Sequence, residues 1–416
     1  MSERSSEKPT HARIEAFPFE QGELVVGGIQ VRRLAEQVGR TPFYAYDRGA
    51  LDRRVAEWRS AMPARLALHY AIKANPMPAL VGHMAPLVDG FDVASAGELH
   101  TALCTGMPAH RISFAGPGKS DAELRAAVAS GITVHLESAG ELERIALAGD
   151  ALGLRPEVAV RVNPDFELKT SGMKMSGGPK PFGVDAELVP DLLGRIGELG
   201  LGFRGFHIYT GSQNLRPEAI CEAHTQTLHL AERLAASAPG PVRYLNIGGG
   251  LGIPYFPGER RLDLAPIAAN LDACLGALPD AFADTELVME LGRYLVGEAG
   301  VYVCRVIDRK VSRGRTFLVT DGGLHHHLAA SGNFGQVVRK NYPVAVAARA
   351  GGDPATEEVT VVGPLCTPLD ILADRVMLPV CAPGDLIAVF QSGAYGYTAS
   401  PLGFLSHPPP AQVLVG

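Results

Sequence analysis

Between residues 66 and 291 one pattern recurs eight times: a short, apolar, β-rich run, a turn of small or polar residues, and a stretch of helical periodicity. The runs are LALHYAI, GFDVA, RISFAG, ITVHLE, EVAVRVN, FRGFHIY, VRYLNIG and ELVMEL. Parallel strands need helical crossovers, and eight such units close a sheet on itself. The pattern therefore predicts an α/β chain built on a (β/α)8 barrel. The helix starts support this independently. Ser95 and Glu98, Ser120 and Glu123, and Ser138 and Glu141 have the three-residue spacing of a capping box. Two of these starts share the string SAGEL, which similar strand-to-helix turns explain without a repeat family.

After about residue 296 the texture changes to VYVCRVI, TFLVT, EVTVVG and DLIAVF, separated by Gly, Pro and Asp. This predicts a β domain after the barrel, and the early run ELVVGGIQV could lend it another strand. The expected division is a barrel over residues 47–295 and a discontinuous β domain over 1–46 and 296–416. A length of 416 residues suits two such units. A net charge of −6 gives no reason to expect nucleic acid. The polar start MSERSSEKPTHARIEAF has no apolar signal core, and no later stretch is apolar enough to span a bilayer, so a cytoplasmic protein without membrane contact is expected. Cys104, Cys221, Cys274, Cys304, Cys366 and Cys381 stand singly, which argues for reduced thiols against a disulfide scaffold or structural zinc. The run His325-His326-His327 does not match zinc-site spacing either, and no metal is expected. Arg305, Arg309, Lys310, Arg313 and Arg315 read as a solvated β surface rather than a docking patch for an acidic carrier.

A (β/α)8 barrel works at the C-terminal ends of its strands, where the reactive residues fall. Lys73 follows the first run, Asp92 lies in the second, Arg161 and Asn163 end the fifth, His207 is in the sixth, Gly248-Gly249-Gly250 close the seventh, and Glu290 the eighth. A lysine buried there would be desolvated toward its neutral, nucleophilic amine, which suits Schiff-base chemistry. The glycines suit a phosphate or merely a tight turn. Glu290 could hold a proton on the ring nitrogen of pyridoxal 5′-phosphate, or form a buried salt bridge with Arg161 or Arg293. His207 could stack on such a ring or serve as a hydrogen-bonded core residue.

YAIKANP, FDVASAGEL, LNIGGGLGIPY, ELGR, GPLCTPLD and GAYG, in this order from about residue 22 onward, resemble the fold-type III pyridoxal-phosphate decarboxylases of ornithine, diaminopimelate and arginine. The resemblance implies an alanine-racemase-like barrel, a C-terminal all-β domain and a homodimer with shared active sites. It makes Lys73 the Schiff-base lysine and Glu290 the partner of the ring nitrogen, with His207 on the ring face and Asp92 among the cofactor contacts. Ser212, Gly249, Gly250, Gly292, Arg293 and Tyr395 would surround the phosphate. Cys366 would reach into the opposite subunit's site to protonate the substrate carbon after CO2 leaves, and Asp370 would meet the substrate's distal end.

Two strings depart from the family pattern. The usual H-x-G-S is two residues longer, running His207-Ile-Tyr-Thr-Gly211-Ser212, and E-P-G-R is ELGR. Within the family, FHIYTGSQNL, SGMKMSGGPKPFGV and DGGLHHHLAASGNFGQVVRKNYPV look most like two branches. One is associated with exosortase A, and the other is the butirosin-pathway enzyme acting on a glutamyl group held by an acyl-carrier protein. The substrate is thus expected to be a free amino acid or a carrier-linked aminoacyl group. An amino-acid racemase and a non-catalytic pyridoxal-phosphate-binding regulator are the competing readings.

Overall fold

The computed structural model describes residues 10–166, 173–174, 177–336, 338–349 and 355–416. Residues 171–172 and 175–176 of the SGMKMSGGPKPFGV string, and Val337 of DGGLHHHLAASGNFGQVVRKNYPV, lie outside them. The chain forms two compact units. One comprises Arg54–Ile253 and Leu262–Leu295; the other comprises Met1–Arg53, Pro254–Arg261 and Val296–Gly416. Residues 47–53 and 254–261, expected within the barrel segment, thus fall in the second unit.

In the first unit the eight apolar runs become eight parallel strands. They are β1 Leu66–Ala71, β2 Gly90–Val93, β3 Ile112–Phe114, β4 Thr133–Leu136, β5 Glu157–Asn163, β6 Gly202–Ile208, β7 Tyr244–Gly249 and β8 Glu286–Leu291. Each pairs with the next, β8 pairs with β1, and β4 with β5, so the ring is closed. The strands read as nearly unbroken apolar runs because a barrel strand is covered on both faces. Six helices follow the early and middle strands: α1 Pro78–Met84, α2 Ala96–Leu103, α3 Asp121–Ser130, α4 Ala139–Leu152, α5 Val189–Glu198 and α6 Pro217–Ala235. A seventh, α7 Ala265–Gly276, precedes β8. Ser95, Ser120 and Ser138 all cap their helices through the side-chain oxygen. Only Ser120 completes the reciprocal box; the Glu98 carboxylate accepts from Ala94 N at 2.7 Å, and that of Glu141 from Lys119 Nζ at 2.7 Å.

In the second unit Gly300–Ser312 is the central strand. It pairs with Arg315–Thr320 on one side and, further along its length, with Leu386–Val389 and Phe43–Asp47. Thr356–Val362, Ile371–Pro379, Val344–Ala348 and Ala411–Val415 complete the sheet. Among the described residues no α-helix follows Val296. The run ELVVGGIQV does not enter this sheet. Its halves Glu23–Val26 and Ile29–Gln30 fold on each other with Phe19–Glu20, because Gly27 and Gly28, both at positive φ, turn the chain back. Leu24 and Val26 still pack into the same core as Val301, Val303 and Phe390. The N-terminal strand that joins the sheet is the aromatic FYAYD segment. Two of the basic residues carry counter-charges: Arg309 makes a two-pronged pair with Glu357, and Arg315, on the next strand, meets Asp374 at 3.3 Å. Among the described residues, no helix is long and apolar enough to cross a membrane.

Candidate active site

At the C-terminal end of β1 the chain enters a short 3-10 turn, Ile72–Ala74, which carries Lys73. Its Nζ lies 3.2 Å from Glu290 Oε1 on the neighbouring β8. The lysine side chain is 45% exposed and that of Glu290 only 4%. The desolvated lysine expected from the sequence is therefore not what forms. The turn lifts Lys73 clear of the strand, and the buried member of the pair is the carboxylate. Burial by itself would raise the Glu290 pKa, but Lys73, a hydrogen bond and charge from His207, and the charge of Arg161 together hold it well below the usual carboxylate range. Glu290 is thus an anion held by its neighbours.

His207 on β6 is buried, with Nε2 3.3 Å from Glu290 Oε2. Its ring centroid lies 4.6 Å from that of His135 on β4. Burial first, and then the nearby His207, push His135 far below its ordinary value, so this imidazole is neutral. Arg161 is not the partner of Glu290. It donates to Glu137 at 2.6 Å, and the salt-bridge alternative with Arg161 is not realised.

Asp92 on β2 is turned within the barrel toward His69 Nδ1, at 3.5 Å, and accepts a short hydrogen bond from Ser113 Oγ. Burial would lower the His69 pKa, yet the Asp92 carboxylate outweighs it and holds the imidazole above its ordinary value. This binds β1, β2 and β3 together. Asp92 was expected among cofactor contacts, but its described partners are these two side chains.

The glycine turn is sterically obligatory. Gly248 has φ 72°, and a Cβ there would lie 2.9 Å from the Ile208 carbonyl oxygen. Gly249 is wedged against the Glu290 backbone and Gly250 against Gly211 beside Ser212, while a Cβ on Gly292 would meet Ala74 at 2.9 Å. Arg293 then opens the short helix Arg293–Val296. These glycines draw the ends of β1, β6, β7 and β8 together, leaving backbone rather than side chains at the strand ends.

Three residues escaped the sequence reading. Tyr209, in the two-residue extension after His207, has its ring centroid 5.8 Å from Lys73 Nζ. An aromatic residue placed one position past a strand end was the available signal. Asn246, a buried amide near the end of VRYLNIG, reaches Glu290 Oε2 at 3.4 Å. His135 gave no signal beyond its place in a strand.

In the other unit, GPLCTPLD is the loop between the antiparallel strands Thr356–Val362 and Ile371–Pro379. Cys366 is exposed on it. Asp370 is turned inward, only 2% exposed, and its two oxygens accept from the backbone amides of Leu324 at 2.6 Å and Leu365 at 2.8 Å. A Cβ on Gly323 or Gly363 would collide with this carboxylate. Burial raises the Asp370 pKa and the two amides only partly offset it. Such a group clamps a loop, which differs from the distal substrate contact expected from the resemblance. Tyr395, at φ 53°, stacks on Phe334 with centroids 6.5 Å apart. His325, His326 and His327 are interior side chains: His327 pairs with Ser392 Oγ at 2.9 Å, and His325 lies against His326 and His407.

Residues 48–297 match the family described as pyridoxal-dependent decarboxylase, pyridoxal binding domain. The chain is 38% identical over 379 residues to the L-glutamyl-[BtrI acyl-carrier protein] decarboxylase of Niallia circulans, covering 90% of this chain and 88% of that protein. It is 32% identical over 403 residues to the diaminopimelate decarboxylase of Aquifex aeolicus, covering 95% and 91%. Diaminopimelate decarboxylase from Helicobacter pylori, solved with L-lysine, superposes with a TM-score of 0.81 at 28% identity over 92% of this chain and 94% of that one.

Proposed function

Since the chain belongs to the pyridoxal-dependent decarboxylases, we propose that Lys73 carries the cofactor and that the substrate is an amino acid or an aminoacyl group presented on a carrier protein. The reaction class is decarboxylation, and the cofactor is pyridoxal 5′-phosphate. The similarity to named decarboxylases over nine-tenths of the chain leaves the racemase and the non-catalytic regulator without support.

The residues fit this cofactor. An accessible amine suits covalent attachment, a buried carboxylate kept ionised suits a protonated ring nitrogen, and an imidazole lies beside it. The glycine turn leaves backbone at the strand ends, where a phosphate can approach. Ser212, Gly249, Gly250, Gly292, Arg293 and Tyr395 are the residues assigned to the phosphate. When bound, the cofactor supplies an electron-poor ring that accepts the electron pair left by departing CO2.

Around that chemistry the side chains divide the remaining tasks. Glu290 holds its negative charge where a cationic ring nitrogen is to be stabilised, and His207 and Asn246 keep the carboxylate from turning away. His207 also offers an imidazole face for the ring. Lys73, 3.2 Å from Glu290, would hold the cofactor through its amine. Cys366 returns the proton to the substrate carbon from the partner subunit; its exposure on a loop and its free thiol support this role. Asp370 acts indirectly by holding that loop. The protein works as a homodimer in the cytoplasm, where six free cysteines stay reduced.

The observation that carries this reading is the Lys73–Glu290 pair at the C-terminal end of the barrel. The greater identity to the carrier-linked glutamyl decarboxylase supports a carrier-bound substrate. The test is CO2 release from free basic and acidic amino acids and from the same groups loaded on an acyl-carrier protein. Release from the loaded carrier alone establishes that choice, and release from the free acid alone rejects it. Borohydride reduction followed by peptide mapping should place the pyridoxyl label on Lys73.

A further inference from the structure

The strand carrying the glycine turn is irregular. The β7–β8 register runs Tyr244↔Glu286, Leu245↔Leu287, Asn246↔Val288 and then Gly249↔Glu290. Two residues of β7, Ile247 and Gly248, therefore face the single Met289. This is a bulge. Without the extra residue, Gly248 rather than Gly249 would stand opposite Glu290. The side chain of Asn246, wholly buried, spans the irregularity. Its Oδ1 accepts from Gly248 N at 2.8 Å, a local turn that supports the bulge. A backbone amide can only donate, so the oxygen must face Gly248 and Nδ2 the other way. Nδ2 lies 3.4 Å from both Glu290 Oε2 and the Tyr244 hydroxyl.

Resting on the role assigned above to Glu290 and the glycine turn, we propose that Asn246 is a positioning residue. One amide builds the bulge that sets the Gly248–Gly250 backbone and orients the Glu290 carboxylate toward the cofactor ring. The groups facing Glu290 explain the choice of an amide. Lys73 after β1 and Arg161 on β5 supply positive charge, His207 on β6 sets a ring nitrogen 3.3 Å from the carboxylate, and neutral His135 on β4 lies behind His207. Asn246 adds a donor to this ring without changing its charge. An aspartate could accept from Gly248 equally well, but it would set a second carboxylate against Glu290.

The experiment uses the holoenzyme and reads cofactor affinity, by equilibrium dialysis, and the pH titration of the bound cofactor's absorbance. Asn246→Ala removes both bonds and should weaken cofactor binding by about tenfold to a hundredfold. Asn246→Asp keeps the bulge and removes the donor. It should bind cofactor within about threefold of wild type, while the acid limb of its absorbance titration moves up by about one pH unit or more. The aspartate variant decides the matter, even if Asn246→Ala does not fold. A wild-type titration in Asn246→Asp overturns the proposal, and so does a loss of affinity as severe as that of Asn246→Ala, which would make the residue only a structural prop. Failure of the wild-type protein to bind pyridoxal phosphate would instead overturn the reading of the site itself.

Discussion

Lys73 and Glu290 come from positions 217 residues apart and meet at 3.2 Å because β1 and β8 are neighbours in the closed barrel. Lys73→Ala should lower turnover by about a thousandfold or more and abolish the reducible pyridoxyl label. Its thermal midpoint should stay close to wild type, because the side chain is half exposed. Steady-state rates and a melting curve check both halves. Glu290 has a folded-state pKa below its unfolded value, so its ion pair stabilises the fold above about pH 4.5 and is lost as pH falls through the depressed folded value. The difference in thermal midpoint between cofactor-free wild type and Glu290→Gln should therefore shrink on going from pH 7 to pH 4. A difference that stays constant with pH would show that the carboxylate charge does not stabilise the site.

The loop from Gly363 to Asp370 depends on one buried carboxylate for its shape. Asp370→Ala would leave the Leu324 and Leu365 amides buried without their acceptor, a cost of about 2 kcal/mol or more. Alkylation of Cys366 should speed up as the loop loosens. A lowered melting temperature with faster thiol labelling is the expected result; an unchanged labelling rate would show that the clamp does not set the exposure of Cys366. The His325–His327 segment makes a separate element-scale prediction. Burial is the main cause holding these imidazoles at about 3, about 4 and about 3. Because the folded values lie below the unfolded value of about 6.5, the unfolded chain takes up protons first as pH falls. Stability is full above about pH 6.5 and declines below it, by about 1.4 kcal/mol per pH unit for each histidine that remains neutral. Melting temperatures between pH 7 and pH 5 test this, and His325→Phe should flatten the acid-side decline.

At the scale of the whole molecule, the shared-site proposal joins Lys73 of one subunit to Cys366 of the other. Cys366→Ala should still release CO2 but protonate the carbon slowly, with some misprotonated or transaminated product. Mixing Lys73→Ala with Cys366→Ala dimers and allowing exchange gives mixed dimers with one doubly damaged and one intact site. Activity should rise to about a quarter of wild type, since about half the dimers are mixed. No recovery after proven exchange would make Cys366 a residue of its own subunit alone. The sequence by itself determined the barrel, because strand alternation and helix caps are local patterns that persist wherever a parallel sheet is covered on both faces. It also singled out Lys73, Glu290 and the three glycines, whose types and places at strand ends are unusual in apolar runs. Only tertiary structure decided which groups touch. Barrel closure brought Asn246, His207 and Lys73 onto Glu290, gave Arg161 to Glu137 and Asp92 to His69, and the β unit turned Asp370 inward. ELVVGGIQV likewise has strand-like residues but pairs within itself, while FYAYD takes the place in the sheet. Periodicity records the face and turn preferences of each segment; partners distant in sequence are chosen only when the strands close and each buried charge must find its counter-charge or donor.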